Sequence, residues 1–555
     1  MGRCADDPSS LLPKRNRRRF LETLAAGAAL GSGTQASAAA GQGRPLRENP
    51  VLEPFEFEEA TIASLQAAIR SGKLTVGALT GRYLDRISKL DRDGPRVSAV
   101  IEINPDALEI AHRLDAEHKS GRARGPLHGI PVLIKDNIAT ADRMTTTAGS
   151  LALAGCIPPR DSFVAKKLRK AGAVILGKTN LSEWANFRSS HSTSGWSGRG
   201  GLTRNPYALD RSPCGSSSGS GVAVAANFCA LAVGTETDGS VVCPASANGI
   251  VGIKPTLGLI SRSGIVPIAH SQDTAGPMAR TVRDAAILLA ALAGPDPEDP
   301  ATAGAGHNPP TDYTRFLHAN GLAGARIGVV RKLGGFNEAV DRLMDAATEV
   351  MKRKGAQVID PAGIPTLGKF DNSENEVQLF EFKADLNAYL ARLGPQSPVH
   401  TLKEIIKFNE QHGDREMPYF GQDLFVKAEA KEPLTSKPYQ EALEKNHRLA
   451  RVEGIDAAMN RWNLDALVAP TAGPAWTIDL VNGDHAAGAT STPPAVAGYP
   501  HITLPVGFVF GLPVGISFFG RAWSEPTLLK LAYAFEQATR ARKPPSFLPT
   551  ASLLS

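Results

Sequence analysis

The chain is poor in cysteine: five in 555 residues, with no two at C-x-x-C spacing and no histidine cluster beside them. That pattern gives no zinc-type ligand set, and the reading is of a protein with no metal and no cofactor. Cys156, Cys214, Cys229 and Cys243 read as buried free thiols, although an oxidising compartment would permit a disulfide. Long hydrophobic runs are missing too. No stretch reaches 18 consecutive apolar residues, which argues against a membrane span. Charge excess is small: the formal value is +6, and half of it comes from the first forty residues. The remainder is too dispersed to suggest a nucleic-acid partner or a membrane surface. No internal repeat is visible. What is present is a globular composition, 42% apolar and 21% charged, on a chain long enough to bury a large core.

The N-terminus reads as a targeting segment. A basic run, Lys14-Arg-Asn-Arg-Arg-Arg19, is followed by Phe20-Leu21, an alanine-rich stretch to about Leu30, and Ala36-Ser37-Ala38 as an A-x-A cleavage site. Asn16-Arg17-Arg18-Arg19-Phe20-Leu21 has the form of a twin-arginine export signal, so residues 1–38 are assigned to it. Residues 39–54 read as a flexible lead. The expected location is periplasmic or secreted, with the export machinery as a partner.

Two features of the remaining chain carry chemistry. A glycine- and serine-rich segment, Ser212-Pro-Cys-Gly-Ser-Ser-Ser-Gly-Ser-Gly221, runs into an apolar stretch and then Gly234-Thr-Glu-Thr-Asp-Gly-Ser-Val-Val-Cys-Pro244. Ser216 and Ser240 stand 24 residues apart within it. Upstream by 81 residues from Ser216, a lone lysine closes the apolar run Gly129-Ile-Pro-Val-Leu-Ile-Lys135. Further on come Asn248-Gly-Ile-Val-Gly-Ile-Lys-Pro-Thr256, Ser263-Gly-Ile-Val-Pro267 and Asp273-Thr-Ala-Gly-Pro277.

In this order, these segments resemble the amidase signature family, whose members cleave carboxamide C–N bonds with a Ser–Ser–Lys triad. The likeness runs from about residue 55 to 545 and is greatest to the bacterial peptide amidases. It implies Lys135 as base, Ser216 as bridging serine and Ser240 as nucleophile, with a cis peptide bond before the bridging serine. Thr237, Asp238, Gly239 and Ser240 would turn tightly and offer backbone N–H groups to an oxyanion. The family commonly reads Gly-Thr-Asp-x-Gly-Gly-Ser-Ile-Arg. Here Glu236, Asp238 and Val242 replace the aspartate, the first paired glycine and the arginine, and Cys214 stands where many members have glycine. The peptide-amidase-like group shares the glutamate and aspartate.

The chemistry agrees with these residue types. An amide carbonyl is a poor electrophile, so its hydrolysis needs an activated nucleophile. Lysine activates a serine only when neutral, and its pKa must fall by about 3 from a value near 10.4, at a cost of about 4 kcal/mol. Burial beside Ile130, Val132, Leu133 and Ile134 supplies that shift.

Helical spacing marks residues 60–91, broken at Ser71-Gly72, with strand-like runs at 97–103 and 132–134. Asp161 is read as capping a helix to Ala171, ahead of a strand at 174–176. A buried helix is expected over 218–228 and a strand over 231–234. A strand–helix–strand unit follows over 327–359, and a polar, helix-rich insertion occupies about 361–440. Strands at 466–468, 502–505 and 513–518 and a last helix over 525–540 complete the pattern. Alternation of α and β segments indicates an α/β fold, which the resemblance specifies as a single α/β/α sandwich around a mixed, mostly parallel sheet. His128, His191 and His501 read as structural. Trp184, Trp196 and Trp476 read as cleft or core, Glu183 and Ser192–Gly195 as cleft-shaping, and Asn482–His485 as an exposed turn.

The resulting expectation is an exported, cofactor-free amidase, monomeric or homodimeric, acting on C-terminally amidated peptides or amino acid amides. The alternatives are the amidase component of a tRNA-dependent amidotransferase, a general aryl or aliphatic amidase, and a non-catalytic amide-binding protein.

Overall fold

Eleven strands pair into one sheet in a computed structural model that describes residues 54–306 and 309–552. The chain begins with β1 (Val100–Ile103), β2 (Pro131–Lys135) and β3 (Val174–Thr179). A short separate pair follows, β4 (Trp196–Ser197) with β5 (Gly201–Leu202). Then come β6 (Leu231–Glu236), β7 (Val251–Lys254), β8 (Thr274–Ala279), β9 (Arg326–Val329) and β10 (Gln357–Ile359). The last three are β11 (Ala466–Pro470), β12 (His501–Val509) and β13 (Leu512–Phe519). Across the large sheet the order is β1-β3-β2-β6-β8-β7-β12-β13-β11-β9-β10. The expected 1–38 export segment and nearly all of the 39–54 lead lie outside the described residues.

The sheet is mixed, as expected, but parallel pairing is not its majority. Four neighbour pairs are parallel, β2·β3, β2·β6, β9·β10 and β9·β11. The other six are antiparallel. The reason lies in the middle of the sheet. There β7 runs into β8, and β12 into β13, by connections that reverse the chain without a helical crossover. Every residue of β2, β3 and β6 is buried, the mark of strands covered on both faces. The Ser218–Ala225 and Val242–Ala247 helices pack on each other and on the sheet. Val282–Leu292, Glu338–Arg353 and Glu525–Thr539 form a second contacting set against it.

Capping fixes several helix starts. Thr61 and Thr75 cap the two helices Ile62–Arg70 and Val76–Ile87, and Asn337 caps Glu338–Arg353. Asp161 does not cap the Phe163–Lys170 helix. Ser162 does, its Oγ accepting from Ala165 N–H at 3.1 Å, while Asp161 accepts from Ala141 N–H and Arg169. The insertion folds as helices Asp371–Arg392, Leu402–Gln411, Gly413–Glu416, Asp423–Glu429 and Lys437–His447. Phe382, Leu386, Leu390 and Phe425 from it share a cluster with Trp184 and Phe187 of the main body. Among the described residues no helix is long and apolar enough to cross a membrane.

Candidate active site

The parallel strands β2 and β6 end side by side, with Ile134 opposite Val233. Lys135 is the next residue of β2, and Thr235 lies two beyond Val233 on β6. Side chains at the carboxyl ends of parallel strands converge on a common crevice. Lys135 is fully buried. Its Nζ donates to Ser216 Oγ at 2.7 Å, to Thr235 Oγ1 at 2.9 Å and to the Thr235 carbonyl at 3.3 Å. Burial pulls its pKa down to about 7, against an upward pull from the charges of Asp273 and Glu236. No carboxylate is bonded to the amine, and burial outweighs that pull.

Ser216 follows a cis peptide bond from Gly215, as the resemblance implied. The carbonyl of Ser216 accepts from Ser182 N–H at 3.1 Å. A Cβ at position 215 would stand 2.2 Å from Ser182 Oγ, so only glycine fits there. Ser217 then ties the segment to β6: its Oγ donates to the Thr235 carbonyl at 3.0 Å and its N–H donates to the Ser240 carbonyl at 3.1 Å. The structure therefore brings Lys135, Ser216 and the Ser240 loop together. The Thr237–Ser240 turn passes through Gly239 at φ +79°, a conformation that favours glycine. Thr237 Oγ1 donates to Asp273 at 2.5 Å, and Asp238 accepts from Thr492 Oγ1 at 2.7 Å.

The departures from the common family pattern have structural partners. Glu236 Oε2 accepts from Val241 N–H at 2.7 Å and Val242 N–H at 2.9 Å, holding the start of the helix after Ser240. Cys214 and Cys243 form a disulfide, which corrects the free-thiol expectation for this pair. Cys156 and Cys229 are free and buried, as expected. Sequence separation concealed the bond, because the two serine-bearing segments meet only once β6 is in place.

Asn137, Thr235, Thr237 and Asp273 also line a cleft of about 740 Å³ that continues past His270, Asp385 and Tyr389 of the insertion side. His270, Glu381 and Asp385 are the one group found among the described residues with the ligand types and spacing for a cation, their atoms within 4.8 Å of each other. Their oxygens are already engaged: Glu381 by Ser271 and Tyr439, Asp385 by His270. The group reads as a brace between the insertion helix and the 268–273 loop. Burial also raises the pKa of Asp273 to about 6.

The other singled-out side chains are structural. His128 contacts the Leu114 carbonyl at 3.0 Å, and His501 lies buried against Ser517 with its pKa pushed by burial down to about 3. Trp184 and Trp196 are core residues, against Phe425 and against Arg188 and Phe420 respectively. Half-buried Trp476 donates to Asp484, which also takes Ser194 Oγ at 2.6 Å. Glu183 pairs with buried Arg188 at 3.0 Å. The Asn482–His485 turn closes on Asp479 and stands exposed at Asn482.

Comparison with known proteins agrees with this geometry. Residues 78–529 match the pattern of the Amidase family. The peptide amidase of Stenotrophomonas maltophilia is 52% identical, covering 89% of this chain and all of that one, with a TM-score of 0.85. A probable amidase of Arabidopsis thaliana is 45% identical over 503 residues, 89% of this chain and 93% of its own length. One of the glutamyl-tRNA(Gln) amidotransferase subunits of Symbiobacterium thermophilum is 34% identical over 86% of this chain and 96% of its own. With a buried, hydroxyl-bonded lysine at the end of β2 and these relatives spanning nearly its whole described length, the chain belongs to the amidase signature family and is an amide-hydrolysing enzyme.

Proposed function

We propose that the protein is an exported amidase that releases ammonia from C-terminally amidated peptides or amino acid amides through Ser240, Ser216 and Lys135. The observation that carries the mechanism is the 2.7 Å contact of Lys135 Nζ with Ser216 Oγ, at a lysine whose pKa burial lowers to about 7. Ser240 Oγ attacks the carboxamide carbon. Its proton passes to Ser216 Oγ as the Ser216 proton passes to neutral Lys135. Backbone N–H groups of Thr237 to Ser240 take the developing oxyanion. The tetrahedral adduct collapses, the C–N bond breaks, and the proton returns through Ser216 to the leaving nitrogen. Water then attacks the acyl-Ser240 ester by the same relay and frees the carboxylate.

The peptide-amide substrate rests on likeness to the Stenotrophomonas peptide amidase. Ammonia release from a panel of peptide amides, aryl amides and fatty amides tests it, and faster turnover of an aryl or fatty amide would move the assignment. Export rests on the arginine pair. Replacing Arg17 and Arg18 by lysine should leave uncut protein in the cytoplasm, and normal periplasmic maturation would end that reading.

A further inference from the structure

Asp238, two residues before Ser240, lies beside a second carboxyl, Glu374 of the insertion helix Asp371–Arg392, and the two influence each other's charge. Both carboxyls have further partners. Glu374 Oε1 accepts from Gln272 Nε2 at 2.9 Å and Gln378 Nε2 at 3.1 Å. Asp238 Oδ2 accepts from Thr492. Asp238 Oδ1 is buried and takes no hydrogen bond, although the Ser491 hydroxyl also lies within reach of this carboxyl. Two carboxylates in contact cannot both ionise, and a proton carried by one of them gives Oδ1 the donor it lacks. Gln272 connects the same glutamate to the Thr237 carbonyl at 3.4 Å, so Glu374 meets the Thr237–Ser240 turn from two sides.

We infer that Glu374, set beside Asp238 and joined through Gln272 to the Thr237 carbonyl, is a positioning residue for amide hydrolysis that holds the Thr237–Ser240 turn in its working shape. This rests on Ser240 as nucleophile. Burial and the charge of Asp238 both push Glu374 well above the ordinary carboxyl range, and burial raises Asp238 too, which favours one proton shared within the pair. The charged groups around the pair are Glu236 on β6, Lys254 on β7, Asp371 one helical turn before Glu374, and Asp273 beyond Thr237. Lys254 favours the ionised pair, while Glu236 and Asp371 oppose it. Loss of the shared proton at alkaline pH sets two negative carboxylates against each other beside the turn, and activity falls with it.

Steady-state kinetics of Glu374→Gln and Glu374→Ala across pH test the inference, with folding checked by thermal melting. Glutamine keeps a donor that cannot ionise. Its kcat should stay within about threefold of the parent at pH 7, and its alkaline decline should vanish or move upward. Alanine should lower kcat by about tenfold to a hundredfold with KM little changed, less than the loss from deleting an oxyanion donor outright. Equal losses in both variants, parental kcat in the alanine variant, or an unmoved alkaline limb in the glutamine variant would each overturn it. A limb set by Lys254 would persist in Glu374→Gln. If the alanine variant does not fold, the glutamine profile alone decides. Ser240→Ala runs alongside: if it keeps activity, the underlying mechanism falls, whereas an inactive Ser240→Ala with unaffected Glu374 variants removes only the positioning role.

Discussion

Lys135 on β2 and Lys178 on β3 are both fully buried and sit one register step apart, Ile134 facing Lys178 and Lys135 facing Thr179. Their hydroxyl partners differ. Lys178 donates to the Ile138 carbonyl and Thr146 Oγ1, each at 2.7 Å, and the buried carboxylate of Asp136 supports its charge. Burial still lowers its pKa to about 8, but its polar contacts suit an ammonium that balances a carboxylate. Lys135, like Lys178, has no bonded acid and feels buried carboxylates, those of Asp273 and Glu236, and it falls to about 7; the difference is that one of its two hydroxyl partners is Ser216. Burial alone therefore does not make a base. A depressed pKa becomes useful when the partner is a hydroxyl that can pass a proton onward.

The sharpest way to break this contrast is to remove the chemistry. Ser240→Ala and Lys135→Ala should each lower kcat by roughly four to six orders of magnitude, and the double variant should be scarcely worse than Ser240→Ala, since residues acting as a unit are not additive. Ser216→Ala should cost less, because water can partly stand in for its hydroxyl. Near-normal activity in folded Lys135→Ala at pH 7 would refute its role as base. Stability separates the two lysines in the opposite sense. Lys178→Met leaves the buried Asp136 with Arg199 as its counter-charge and Thr147 and Gly149 as donors, and should cost about 3 kcal/mol by denaturant unfolding. Lys135→Met leaves Asp273 and Glu236 with their own backbone N–H donors and should cost about 1 kcal/mol, the value of the lysine's hydrogen bonds. Equal losses would erase the distinction.

Of the same order as the Lys178 loss is the effect of the Cys214–Cys243 bond, which closes a loop of sequence separation 29. Cys214→Ser with Cys243→Ser should lower stability by about 3 kcal/mol, read as a drop in the melting midpoint. The smallest effect is on the pH–rate profile. The working form is neutral Lys135, so kcat/KM should climb about tenfold per pH unit below the lysine's pKa of about 7 and level off above it, before the alkaline decline expected from the Asp238–Glu374 pair. A limb displaced to the range of a solvated lysine would mean that the amine is not desolvated in solution.

Much of this is legible in the chain. The continuous apolar run ending at Lys135 and the Gly/Ser spacing to Ser216 and Ser240 point to segments that the fold does bring together. Strands β7 and β8 are invisible to periodicity, because Gly252, Gly276 and Pro277 interrupt any alternation, and their pairing is completed by β6 and β12, the latter from far along the chain. Lys178 and Lys254 give no signal, since a lone lysine in a strand carries no sign of burial. Asp161 loses the helix start to Ser162 by one residue, a choice set by Arg169 and Ala141 rather than by local preference. Glu374 sits in a polar helix and is equally silent, because its meaning comes from Asp238, over a hundred residues away.

The Cys214–Cys243 bond has one more consequence. It closes a covalent ring that contains both serines, the Ser218–Ala225 helix and β6, and it leaves Lys135 outside on β2. A chain nicked at the exposed Ser190–His191 peptide would thus fall into two pieces, one with the lysine and one with both serines already locked together. The β2–β6 ladder, the bonds of Asn180 and Ser182 to the serine-bearing segment and the packing around them would hold the lysine to its partners. The site is divisible into a closed module and a single strand, and reconstitution from halves becomes a question of strand pairing, with no need for chain continuity.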